Sequence, residues 1–151
     1  MSKPLQYTNM NRAGRNGGFT KHGSASAGTH AAHKCSHRVA TSVLQHTPGR
    51  HVTTGTNDLV KALNHDSNLR IKTAYGNQVH DEKHDKRIVS AIESRGHITD
   101  LATAKRAKQC YKGAVGSAKA ASNQTLGHVA SYIGEMKYNN SKGRPMKIKN
   151  M

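Results

Sequence analysis

Four side chains that can ligate a metal fall within eight residues, in the run His30-Ala31-Ala32-His33-Lys34-Cys35-Ser36-His37. Imidazole and thiolate are the ordinary ligands of zinc. Structural zinc sites, however, pair two close ligands with two more about a dozen residues away, and no such second pair follows here. With 11 histidines in 151 residues, a local cluster arises readily by chance, so the run reads as a solvated His-rich segment and no metal is expected. A second run, His80-Asp81-Glu82-Lys83-His84-Asp85, approaches the H-E-x-x-H helix of metalloproteases. That mechanism needs the glutamate directly after the first ligand, and here it comes one position late. Its acids are as well explained as favourable charges at a helix N-terminus.

Nucleophilic chemistry finds no better footing. No Gly-x-Ser-x-Gly elbow occurs, and Gly14, Gly17 and Gly18 neither follow a strand nor precede the GK[ST] of a phosphate-cradling loop. Cys35 and Cys110 are far apart in sequence with no CxxC spacing, and are expected to be free, buried thiols. The expectation is therefore a non-enzymatic protein without a cofactor.

What the sequence does carry is charge. The formal net charge is +16, and it is polarised along the chain. Residues 1–57 hold seven basic and no acidic side chains, residues 58–100 hold seven of each, and residues 101–151 hold ten basic side chains against Glu135 alone. Two basic ends around a neutral middle suit a grip on an extended polyanion, of which DNA or RNA is the favoured kind. A membrane surface would call for a basic helix with Trp, Phe or Leu on its other side. This chain has no Trp, and its single Phe, Phe19, lies in a Gly-rich stretch. No apolar run reaches the ~18 residues of a membrane span, and Met1 to Met10 lacks the apolar stretch of a signal peptide. The expected location is intracellular or within a virion, with no membrane partner.

The elements that must position this charge are helical. From Met1 to about Thr56 the composition is Gly, Ser, Thr, Asn and His, with 34% hydrophobic residues in the whole chain, and this block reads as a flexible arm. Within it, Val39–Leu44 suits a short helix or strand, and Thr47-Pro48-Gly49 a turn. A first helix is expected from Thr56 or Asn57, with Leu59, Val60 and Leu63 on one side. Residues 68–79 read as loop or a short extended segment, because Gly76 and Asn77 interrupt the alternation of Leu69, Ile71 and Thr73. A second helix is expected from about Asp81 to Arg95, with Gly96 just past its end. A third runs from a Thr99 cap to about Val115, with Leu101, Ala104, Ala107, Tyr111 and Val115 facing inward. A fourth starts near Ser122 or Asn123 and buries Leu126, Val129, Ala130 and Ile133. Residues 139–151 read as a basic tail. The fold expected is a small, mainly α, three- to four-helix bundle over residues 57–138, between a basic arm at 1–56 and that tail.

Over residues 82–140 the order of elements resembles the SAM-like core-binding domain of tyrosine recombinases and phage integrases. The resemblance rests on Ile88-Val89-Ser90-Ala91-Ile92, on Gly96-His97-Ile98-Thr99-Asp100-Leu101 before a helix reaching Tyr111, and on Ser122-Asn123-Gln124-Thr125-Leu126 opening another. It implies a bundle that clamps duplex DNA. In that family a separate domain supplies the catalytic tyrosine and arginines; this chain ends where such a domain would begin, so recombinase activity is not implied.

Taken together, the residues expected to meet phosphates are Arg12, Arg15 and Lys21 of the arm, Lys105, Arg106, Lys108 and Lys112 of the third helix, Lys119 after it, and Lys142, Arg144, Lys147 and Lys149 of the tail. The alternative is a structural component of a virion or ribonucleoprotein assembly whose basic arms thread among other chains or packaged nucleic acid.

Overall fold

The computed structural model describes residues 29–47, 56–73, 80–140 and 143–151. Among these, five α-helices dominate: α1 (His37–Gln45), α2 (Thr56–Leu63), α3 (Glu82–Ser94), α4 (Leu101–Ala120) and α5 (Gln124–Glu135). Two short antiparallel strand pairs accompany them. Strands β1 (Thr29–His33) and β2 (Leu69–Thr73) pair antiparallel with His33 opposite Leu69, and β3 (Lys137–Asn139) and β4 (Pro145–Lys147) pair antiparallel with Tyr138 opposite Met146. The architecture is the expected small helical bundle.

Its boundaries differ from the sequence reading at both ends. The arm was drawn to residue 56, yet residues 29–47 are folded. Ser36 caps α1 by accepting the Val39 N–H at 3.2 Å, and Cys35, Val39, Ala40, Val43 and Leu44 join the core. Their apolar spacing on a nine-residue helix is enough once α3 and α5 are there to pack against it, since short helices persist through tertiary contact. The turn expected at Thr47-Pro48-Gly49 falls largely on residues outside the described set, as do residues 1–28. At the other end the basic tail is not a tail. Residues 145–150 form β4 and a 3₁₀ turn, Ile148 is fully buried, and its N–H donates to the Met136 carbonyl at 2.8 Å.

Helix ends shift for identifiable reasons. Asp100, not Thr99, caps α4, its carboxylate accepting the Thr103 N–H at 2.9 Å and the Thr103 hydroxyl at 2.8 Å. The helix then runs to Ala120, past the expected Val115. Asn123 caps α5, as one of the two candidates, by accepting the Leu126 N–H at 2.9 Å. At the end of α3 the left-handed residue is Arg95 (φ 54°) and not Gly96. Residues 69–73, expected as loop or extended chain, form β2.

The core gathers Val39 and Val43 of α1, Leu59 and Leu63 of α2, Ile88 and Ile92 of α3, and Leu126, Val129 and Ile133 of α5 around α4. Helix α4 contributes small residues, Ala104, Ala107, Cys110 and Ala114, so its neighbours approach closely. At Gly113 a Cβ would stand 2.3 Å from Asn68 Oδ1, and at Gly134 of α5 one would stand 2.7 Å from the Tyr111 ring. Leu101, expected inward, is 48% exposed.

Candidate nucleic-acid interface

Helix α4 turns two different chemistries to its two sides. At about 100° per residue, Lys105, Lys108, Lys112 and Lys119 project within about 60° of one another. From the first to the last they span about 21 Å of helix, the rise over which one strand of a duplex presents about six phosphates. Lys105, Lys112 and Lys119 are exposed, and no carboxylate among the described residues pairs with them. Lys108 is half-buried; its ammonium donates to the Lys149 carbonyl at 2.8 Å and lies 5.7 Å from the centre of the Tyr111 ring.

That hydrogen bond joins the C-terminal segment to the lysine face. Lys147 and Lys149 in turn close on one carboxylate, Glu135 at the end of α5, at 2.8 and 2.6 Å. The hydrogen bond from Lys147, then that from Lys149, pulls the Glu135 carboxyl down to about 2, and the same contact raises the Lys149 ammonium above its ordinary range. Two of the C-terminal lysines are thus clasped by one acid, and Lys108 ties their segment to the lysine side of α4. Arg144 is exposed beside β4. Arg12, Arg15, Lys21 and Lys142 lie outside the described residues.

Arg106 does not belong to this face. It points about 100° away from Lys105, into the protein, and is 5% exposed. Its Nε donates to Asp85 Oδ1 at 2.8 Å and one terminal nitrogen to Asp85 Oδ2 at 3.1 Å, the two-pronged geometry that suits guanidinium and carboxylate. Further donations reach the Gln109 side chain at 2.7 Å and the His33 carbonyl at 3.1 Å, and Asp81 stands 3.8 Å away. Burial alone would make the guanidinium easier to deprotonate, but the hydrogen bonds and charge of Asp85, followed by the charge of Asp81, outweigh it and raise its pKa. The expected phosphate contact is therefore an internal ion pair that locks α4 to α3 and to β1.

The same pairing explains the acids of the His80–Asp85 run. Asp81 and Asp85 are buried against Arg106, while Glu82 meets Arg38 at 3.8 Å and Lys86 at 3.9 Å. His84 Nδ1 lies 3.0 Å from the Thr103 hydroxyl. In the earlier His-rich run, His33 Nε2 is 2.6 Å from Asn64 Oδ1, and burial, partly opposed by that hydrogen bond, lowers the His33 pKa. The His33 and His37 rings stand 4.6 Å apart, and the side chain of His30 is not among those described. No group of three or more His, Cys, Asp or Glu side chains among the described residues is placed to hold a metal ion. Nor is any helix among them long and apolar enough to cross a membrane.

Cys35 and Cys110, distant in sequence, meet in the core. Both are buried and free, and burial first, then the hydrogen bond that the Cys110 thiol makes to Cys35, raises the Cys110 thiol well above its ordinary value. Comparison of the chain with protein-family models, with curated proteins and with solved structures finds no significant match.

Proposed function

We propose that the lysine face of α4, extended by Lys147 and Lys149, binds the phosphate backbone of nucleic acid. The observation that carries this reading is the alignment of Lys105, Lys108, Lys112 and Lys119 on one side of a helix whose other side is anchored by a buried ion pair. Charges held on a packed helix lose less freedom on binding than charges on a loose chain, so each contributes more to affinity. The basic segment around Arg12, Arg15 and Lys21 adds further phosphate contacts in this reading. Base-specific recognition is no part of it, because the sequence carries no recognisable base-reading motif.

The test is a salt titration of three proteins: the unaltered chain, Lys105→Gln/Lys108→Gln/Lys112→Gln, and a control, Lys61→Gln/Lys83→Gln/Lys86→Gln, of equal charge change on α2 and α3. For the unaltered chain on duplex DNA, log affinity against log salt should fall with a slope of magnitude at least about 4. The α4 variant should flatten it by about 2–3, at 0.9 per phosphate contact, and the control by clearly less. A flat plot for the unaltered chain, or equal flattening by both variants, would overturn the proposal.

A further inference from the structure

A cavity of about 500 Å³ opens beside the lysine face, where the ends of α1, α3 and α5 converge. Its volume falls within the roughly 300–1,000 Å³ typical of small-molecule sites. Ala91 and Met136 give it an apolar floor, and the half-buried ring of Tyr132 stands in its wall. Arg95 and Lys137 bring two cations to it, His46 and His97 two imidazoles, and Glu135 the only acid among its described lining residues. Glu135 is already neutralised by Lys147 and Lys149, so the free charge at the rim is positive. The cavity thereby joins the proposed phosphate track through a single chain of contacts: Glu135 to Lys149, and the Lys149 carbonyl to Lys108.

One cation of the rim also carries backbone strain. Arg95 adopts a left-handed conformation, φ 54°, at the end of α3, where glycine is the residue without penalty, and a glycine stands one position later. Its N–H closes the helix on the Ile92 carbonyl at 3.2 Å, a bond that glycine would make equally well. Its side chain makes no ion pair with any described residue. The same conformation recurs at Ser122, far from this cavity in the chain, so what distinguishes Arg95 is that it brings an unpaired cation to the cavity lining.

We infer that this cavity takes one nucleotide, its base lying against Tyr132 and its phosphate held between Arg95 and Lys137. An apolar floor with one aromatic ring suits a flat heterocycle, and the two cations suit the anion attached to it. The inference rests on the proposed function for the continuity of the phosphate track, and it adds that the base must be unpaired, because a duplex keeps its bases stacked inside. The nucleotide comes either from a single strand or from solution.

The distinguishing variant is Arg95→Gly. It removes the cation and relieves the backbone, so it should melt at a higher temperature than the unaltered chain while binding its ligand more weakly. Loss of binding with a gain in stability cannot be ascribed to unfolding. Tyr132→Leu keeps most of the side-chain bulk and removes the aromatic face. The probes are a short labelled single strand, the same strand lacking bases, and adenosine monophosphate. If the strand is the source, the unaltered protein prefers the complete strand to the abasic one by about tenfold, as expected for one stacked base, and both variants abolish that preference. If the free nucleotide is the source, adenosine monophosphate saturates the unaltered protein, and Arg95→Gly weakens it. Equal affinity for complete and abasic strands together with no binding of the mononucleotide overturns the inference, and so does an Arg95→Gly protein that binds every probe as before. The lysine face fails or stands separately, because its triple variant must weaken complete and abasic strands alike.

Discussion

Gly113 lies in the middle of α4, where replacing glycine by alanine ordinarily stabilises a helix by about 1 kcal/mol. Here the sign should reverse. A Cβ at this position would stand 2.3 Å from Asn68 Oδ1 and 2.6 Å from Lys34 Cβ. Asn68 has nowhere better to go. It is completely buried, accepts the Cys35 N–H at 2.7 Å, and donates to the carbonyls of Cys35 and Leu63 at 2.9 and 2.8 Å. Overpacking costs about 1–3 kcal/mol, and one buried hydrogen bond left unmade about 1–3 kcal/mol more. After the gain in helix propensity, Gly113→Ala should lose about 1–5 kcal/mol, centred near 3. For a small domain that lowers Tm by roughly 10–25 °C. Gly127 of α5 is the control: its Cβ would meet only Ala118 Cβ at 3.9 Å, an ordinary contact, so Gly127→Ala should raise Tm by a few degrees. Thermal melts followed by far-ultraviolet circular dichroism decide it. A Gly113→Ala protein as stable as the unaltered chain, with Gly127→Ala behaving as expected, would show that Asn68 does not hold β1, α2 and α4 together as described.

Two further outcomes follow from the ion pairs. Arg106→Met should cost about 3–5 kcal/mol in a denaturant titration, because it leaves Asp85 buried without its two-pronged partner, whereas Asp81 keeps Arg70 at 3.5 Å, and Arg106→Met/Asp85→Leu should recover part of that loss; a single variant within about 1 kcal/mol of the parent would refute the assignment. Glu135, drawn from its ordinary 4.5 down to about 2 by its two lysines, adds stability that is complete above about pH 4.5 and disappears as pH falls toward 2, so its carboxyl resonance should titrate near 2, and a midpoint near 4.5 would mean that the C-terminal segment is not clasped.

Much of the bundle was legible because its helices carry an apolar face of helical period and a polar cap, as at Asn123 before Leu126, Val129 and Ile133. What escaped was whatever depends on a partner distant in sequence. Residues 29–47 lie in a Gly- and His-rich stretch, and only the packing of Val39 and Val43 against α3 and α5 makes their helix worthwhile. The C-terminal residues read as a charged tail because basic side chains dominate them, and the alternation of Met146 and Ile148 with Lys147 and Lys149 is too short to stand out. The buried ion pair did leave a signal. Asp81, Asp85, Ile88 and Ile92 share one face of α3, and acids that continue an apolar stripe require a cation from elsewhere. On α4, Arg106 falls in register with Thr103, Cys110, Gly113 and Ser117, all buried, whereas Lys105 does not. Of the cavity residues, Arg95 marks only the expected end of a helix, and Tyr132 and Lys137 stand in no motif.

That register has a consequence for the lysine face. Arg106 and Lys105 are chemically alike and adjacent, so composition alone assigns both to a polyanion; only their separation of about 100° divides them. Once Arg106 is bound to Asp85 on one side, α4 cannot roll about its axis without breaking a buried, two-pronged ion pair. The lysines on the other side are therefore fixed in direction by a charge that is almost wholly buried. Lys108 is held further by the Lys149 carbonyl, and through it the C-terminal 3₁₀ turn is seated on the same face. A polyanion meeting this surface finds its cations already spaced and aimed, with little left to order except the ends of their side chains. On the proposed reading, weakening the buried pair should then loosen phosphate binding without touching a single exposed lysine, a coupling that an unstructured basic arm could not have.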